Sequence, residues 1–276
     1  MSSLPTSRSR VTSHFILILA SMVAAAPIVG VLLVALDRPD AAVGGFGFAT
    51  HPSLANITQV WQQGNFANGL SWSAIITGAT VAITTVLAVP AGYAFATIGF
   101  PGRGFCFRLF LFGLLAPYAA LLIPLYFEMR KMSLAGTAWG VILPSAAVSI
   151  AFGVFWMRAA FLGVPRPLIE AARVDGASTG RIFLRVALPL VRSAVFVLIL
   201  LVFLWTWNSF MVPLVLLAGS DIQTATMTMA GYQGGHVDDV PGTAAAALFV
   251  CLPVIIVYVL TQRHFMRGTT EGGLKL

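Results

Sequence analysis

Charge is scarce in this 276-residue chain: only 9% of its residues are charged, against 58% hydrophobic residues and a mean hydropathy of +0.92. So little polar surface cannot cover a water-soluble globule of this length, which places the chain in a membrane. Lysine is almost absent. Lys131 and Lys275 are followed by Met132 and Leu276, whereas a phosphate-binding loop needs a lysine followed by Ser or Thr after a glycine-rich turn. The chain is therefore not expected to bind ATP by that device. Cys106 and Cys251 form neither a zinc pair nor a CxxC redox motif and read as small apolar residues. His14, His51, His236 and His264 are too scattered for a metal site, and no nucleophile, base and orienting acid come together. Neither a catalytic nor a metal-ligating residue is expected.

What the chain has is long apolar runs. Six of them, over 15–36, 70–100, 109–127, 132–157, 193–219 and 242–262, carry no charge in their middles. Each is long enough, at ~1.5 Å per residue, to cross ~30 Å of hydrocarbon as a helix. The expected fold is all-α, a polytopic membrane protein with six transmembrane helices. A proton-driven carrier usually needs an ionisable group in its membrane core, so the absence of one counts against that class. A sodium-driven carrier, which can work with carbonyls and hydroxyls, stays open, as does a non-transporting membrane scaffold.

The basic residues set the orientation. Arg8, Arg10, Arg103, Arg108, Arg158, Arg166, Arg173, Arg181, Arg185, Arg192, Arg263, Arg267 and Lys275 fall on the side of the termini, with Arg38, Arg130 and Lys131 opposite. Basic loops stay inside, so both termini are expected in the cytoplasm. Arginines spread between apolar runs, rather than gathered on one soluble face, argue against nucleic acid despite the net charge of +7. The first run, with Ala24–Ala26 inside it, has the flavour of a cleaved signal peptide. Its length exceeds the ~7 to 15 residues of a signal-peptide core, which favours an uncleaved helix. The expected layout is a cytoplasmic tail (1–14), a permease domain (15–268) with a cytoplasmic loop at 165–192 and outer loops at 37–68 and 220–241, and a cytoplasmic tail (269–276).

Pro27, Pro90, Pro117, Pro124, Pro144, Pro213 and Pro253 punctuate the runs. Each frees a carbonyl that a neighbouring helix or water must satisfy, so together they suggest bent helices around a cavity, while any single one is explained by packing alone. Gly92 and Ala96, four apart, permit close helix contact.

The longest polar interruption on the arginine-rich side is 165–192, PRPLIEAARVDGASTGRIFLRVALPLVR. Pro167 suits a first helical position. Leu168, Ala171, Ala172 and Asp175 then share one face of a two-turn helix that presents small side chains to a partner. Glu170 is expected in its first turn, where a carboxylate favours a helix N-terminus. Gly176 stops that helix and Ser178 caps a second one through Ile182, Phe183 and Val186.

Glu170, Ala171 and Ala172, then Gly176, then Val186, Ala187, Leu188 and Pro189 after nine residues resemble the EAA loop of ABC importer permeases, and Asp175, Gly176 and Ala177 resemble the DGA of their carbohydrate branch. Val186 stands in for the usual isoleucine. The resemblance covers nearly the whole chain: Asn68 and Leu70, GFPGRG at 99–104, IPLY at 123–126, Trp207 and Asn208, and QRHFMRG at 262–268 are similar to the maltose-type smaller permease. Ser209 departs from an acidic residue that often follows Trp-Asn, and the tail GGLKL departs from GAVKG.

This resemblance implies a type I ABC importer permease, a transport subunit rather than an enzyme, in the inner membrane of a prokaryote. It implies a second homologous permease, an ABC ATPase dimer that holds ATP and Mg in place of any cofactor on this chain, and an extracytoplasmic solute-binding protein. Half of the path for a sugar or related polar solute would be formed here. Glu170, Ala171, Ala172, Asp175, Gly176, Ala177, Leu188 and Pro189 would couple to the ATPase. Tyr118, Trp207 and Asn208 would line the solute path. For Asn208 the residues alone leave two readings, a buried amide bonded to a neighbouring helix or a group lining the path, and the resemblance favours the second. Gln233, Gly234, Gly235 and Asp238 would face the binding protein, or else belong to an inert connection.

Overall fold

A segment surrounded by lipid must satisfy every backbone N–H and C=O within itself, which for apolar runs of this length means helix. The computed structural model describes the backbone of residues 7–37, 52–115, 118–235 and 240–272, and side chains within 13–37, 52–115, 120–231 and 240–261. Its elements are α1 (Ser7–Ala35), α2 (Ala55–Gln63), α3 (Phe66–Thr97), α4 (Arg103–Leu115), α5 (Tyr118–Lys131), α6 (Ala138–Leu162), α7 (Arg166–Val174) and α8 (Thr179–Ile182). A π-helical turn (Phe183–Ala187) follows, then α9 (Leu188–Leu190), α10 (Arg192–Trp207), α11 (Met211–Leu216), α12 (Ala225–Gly235) and α13 (Val240–Gly272). There is no strand among the described residues.

Four helices, in α1, α3, α6 and α13, are long and apolar enough to cross a membrane unbroken, and two bent pairs bring the number to six if each pair counts as one span. The all-α polytopic expectation therefore holds, with differences in how the spans are built. The run 109–127 is two helices, α4 and α5, inclined at 108°. Pro117 lies between them in sequence, a residue that ends one helix and suits the start of another. The fourth span begins at Ala138 instead of Met132. Ser133 (φ 57°) and Gly136 (φ 78°) first turn the chain, and Thr137 then opens α6, its Oγ1 accepting the Gly140 N–H at 3.3 Å. The fifth run stops at Trp207, with α11 separate, and the Thr179–Leu190 stretch meets α10 at 77°. By contrast Pro27, Pro90, Pro124, Pro144 and Pro253 sit inside their helices without ending them.

By contacts the chain divides into residues 1–66 with 228–251, and 67–227 with 252–276. In the first unit Asn56 is buried and its Nδ2 donates to the carbonyls of Ala35 and Asp37, fastening α2 to the end of α1. Trp61 and Phe66 pack on Phe249 with ring centroids 5.2 and 5.3 Å apart. The expected outer loop 37–68 thus contains the short helix α2, while residues 38–51 lie outside the described residues.

The second unit is organised by α3 and α6. A Cβ added at Gly92 would lie 2.5 Å from the Met157 Cβ, and one added at Gly153 would lie 2.6 Å from the Ala88 Cβ. Both glycines are therefore needed for this crossing, since small residues let helix backbones approach. Gly92 fulfils its expected role, and Gly153 repeats it one turn away. The two pairs keep the same offset, so α3 and α6 run parallel. Apolar clusters occupy the two ends of this pair: Tyr93, Phe95, Met157, Phe161, Ile169 and Ile182 at one, Ile76, Leu122, Val141, Ile142, Val212 and Leu216 at the other.

Candidate coupling segment and polar seam

The segment after α6 is built for a sharp stop. Pro165 precedes α7 with ψ 120°, and the Leu168 N–H closes the first turn on the Pro165 carbonyl at 3.1 Å. Pro167 is the second helical residue, one place later than expected, still within the turn whose N–H groups have no intrahelical partner. At the other end Gly176 has φ +77°. The Gly176 N–H reaches the Arg173 carbonyl and the Ala177 N–H the Ala172 carbonyl, each at 3.0 Å, which is the Schellman closure that left-handed glycine makes possible. No heavy atom lies within 4 Å of a Cβ placed on Gly176, so its constraint is conformational and not steric crowding.

Three details of the expected helix are corrected. Glu170 is the fifth residue of α7 and the first turn holds no acid, so Glu170 gains nothing from the helix N-terminus. Ala172 does not share the outward face with Leu168 and Ala171; it packs against the core cluster beside Ile169. Ser178 occupies the N-cap position of α8, yet its side chain makes no capping bond, and only its carbonyl accepts the Ile182 N–H at 2.9 Å.

Ile169, which the sequence reading passed over, is the residue that seats α7. It is 7% exposed and belongs to the cluster of Tyr93, Phe161, Ile182, Ala187 and Val191. Above it Tyr93, Phe161 and Phe183 form an aromatic triangle with centroid separations of 5.3, 5.0 and 6.1 Å. One residue each from α3, α6 and the π-helical turn is thereby held in one packed unit. Two polar ties add to it: the Arg158 Nε donates to the Phe95 carbonyl with the guanidinium 4.3 Å over Phe107, and the Trp156 Nε1 donates to the Ala194 carbonyl at 2.9 Å. Outward, Leu168, Glu170, Ala171, Asp175 and Gly176 are exposed, and Val174 is 89% exposed. Of the remaining coupling candidates, Ala177 and Leu188 pack against the core while Pro189 is exposed.

Two of the residues assigned to the solute path, Trp207 and Asn208, lie at the end of α10. Trp207 is buried and stacks on Phe203. Asn208 is exposed: it ends α10, with its Nδ2 donating to the Leu204 carbonyl at 2.8 Å. The buried amide expected from its apolar flanks is thus a helix-ending one. Tyr118 opens α5, with its side chain outside the described residues, as are the side chain of Gln233 and all of Asp238. Gln233, Gly234 and Gly235 fall in the last turn of α12, so much of 220–241 is helix. The Thr226 Oγ1 ties the start of that helix to the Ser209 carbonyl at 3.0 Å.

A polar feature lies instead between the two apolar clusters. Ser73, Thr77, Thr80 and Thr84 recur on one face of α3 and are all buried. The Ser73 Oγ accepts the Ala225 N–H at 2.8 Å, but the Oγ1 atoms of Thr80, Thr84 and Thr85 are buried with no hydrogen-bond partner. Each such hydroxyl costs about 1–3 kcal/mol.

Several broken and unbroken apolar spans, with a short helix held outward by a packed anchor, define a multi-pass membrane protein. The chain belongs to the family of binding-protein-dependent transport system inner membrane components, whose model matches residues 88–271. It is 29% identical over 94% of its length to the diacetylchitobiose uptake system permease protein NgcG of Streptomyces coelicolor, covering 87% of that protein. To the arabinooligosaccharides transport system permease protein AraQ of Halalkalibacterium halodurans it is 34% identical over 76% of its length and 73% of the relative's. Its fold matches a chain of a bacterial ABC transporter involved in the import of the acidic polysaccharide alginate, with a TM-score of 0.77 at 22% identity, covering 96% of this chain and 100% of that one.

Proposed function

We propose that this chain is one of two homologous permeases of an ATP-driven importer, forms half of the path for a sugar or related polar solute, and takes its drive from a separate ATPase dimer through α7. ATP and Mg are bound by that ATPase, and an extracytoplasmic binding protein delivers the solute. The observation that carries the reading is α7 itself, a helix stopped by Gly176, anchored inward by Ile169 and open outward along Leu168, Ala171 and Val174. Relatives named for diacetylchitobiose and arabinooligosaccharides support the solute class. Family membership favours this reading over a sodium-coupled carrier or a scaffold.

Mechanically, closure of the ATPase dimer would draw α7 with it, and the aromatic triangle would pass the displacement to α3 and α6 as a rigid shift between two states. The basic loops support a cytoplasmic position for α7 and both termini. Single cysteines at Ser178 and Ser220, in a chain whose Cys106 and Cys251 are replaced by alanine, should therefore react with an impermeant thiol reagent from opposite sides. Equal reaction of both from outside would defeat the orientation and the role of α7 together.

A further inference from the structure

We propose that Thr80, Thr84 and Thr85 are a hydroxyl-binding face for a neutral, polyhydroxylated solute, sealed in the conformation described here and opened in the alternate transport state. The proposal rests on the permease reading above. A threonine inside a helix can always bond the carbonyl four residues back, and in this chain Thr97 does so to Tyr93 at 2.8 Å and Thr261 to Val257 at 2.7 Å. The three hydroxyls of α3 decline that bond and point into the protein without any partner. Were the seam only a packing surface, valine, which α3 already uses at Val81, Val86 and Val89, would fill the same shape without a stranded donor. Their position is mid-helix, where a polar group is dearest to keep and most often belongs to a transport path.

The opposite wall matches. The offset that sets Gly92 against Met157 and Ala88 against Gly153 brings Thr84 level with Ser149, and one turn further Thr80 level with Ser145. Ser149 is itself buried. Neither α3 nor the facing half of α6 carries a charge, so the seam suits the O–H groups of a neutral solute and not an ion.

The test uses the whole complex, with partner permease, ATPase and binding protein, reconstituted in lipid vesicles. Thr84→Cys, with Cys106→Ala and Cys251→Ala, should react with a small methanethiosulfonate reagent about tenfold faster in one of two states, nucleotide-free or trapped with a non-hydrolysable ATP analogue. The same slow rate in both overturns the proposal. The shape-preserving triple variant Thr80→Val, Thr84→Val, Thr85→Val should cut uptake about tenfold while the ATPase still co-purifies and the thermal midpoint stays level or rises, and the triple serine variant should keep uptake. Normal uptake by the valine variant overturns the proposal. So does a fall in its thermal midpoint, which would mark the hydroxyls as held by structural water. Failure of the ATPase to co-purify with the unaltered chain would instead overturn the permease reading, and this inference with it.

Discussion

Gly176→Val is expected to abolish uptake, by more than an order of magnitude, and to release the ATPase from the membrane while the permease stays inserted. Gly176 sits at φ +77°, a region that costs a residue with a Cβ roughly 1–2 kcal/mol, and a β-branched one more. Open space around the position means that valine cannot be rejected by a clash. What changes is the backbone: the bonds from Gly176 to Arg173 and from Ala177 to Ala172 no longer close together, and α7 loses its fixed exit. Gly176→Asn provides the control, because asparagine tolerates the left-handed region and should retain most of the uptake. The readout is the fraction of ATPase that sediments with membranes, alongside solute uptake. Normal uptake by Gly176→Val would remove α7 from the coupling route.

Ile169→Ala is expected to act differently, lowering uptake about tenfold while much of the ATPase stays bound and hydrolyses ATP. Ile169 is the side chain of α7 buried in the cluster with Tyr93, Phe161 and Ile182. Truncating a buried isoleucine costs about 2–5 kcal/mol in a well-packed site, and the loss here falls on the seat of α7 and not on its outward face. A helix that still meets the ATPase but rocks on its seat passes on less of the displacement. The ratio of solute moved to ATP hydrolysed should fall in Ile169→Ala and stay near normal in Ile169→Val. An unchanged ratio in Ile169→Ala would show that the anchor does not carry the motion.

The class of the protein and the polar segment proposed for coupling were legible because both depend on contrast. Few charges set against long apolar runs mark a membrane chain, and a polar stretch punctuated by Pro165, Pro167 and Gly176 stands out from them. Inside the runs that contrast vanishes. Where nearly every residue of α3 or α6 is apolar or small, periodicity does not tell an inward face from an outward one, so neither the row of buried threonines nor Gly153 could be singled out. Proline signals were ambiguous for a related reason: Pro90 and Pro144 sit within long helices, because neighbouring helices decide whether a missing N–H is tolerated. Ile169 was hidden by its neighbours. The EAA signature draws attention to the residues beside it, whereas the anchor is the apolar residue just before Glu170.

Cross-linking from the outward face of α7 tests the central claim most directly. Ala171→Cys, in a chain with Cys106→Ala and Cys251→Ala, carries a short photoactivatable label at an exposed position, and the assembled complex is irradiated and resolved for permease–ATPase adducts. The account predicts an adduct from Ala171, none from the same label at Ser220, and loss of the Ala171 adduct when Gly176→Val is added. An ATPase adduct from Ser220 and none from Ala171 would contradict it.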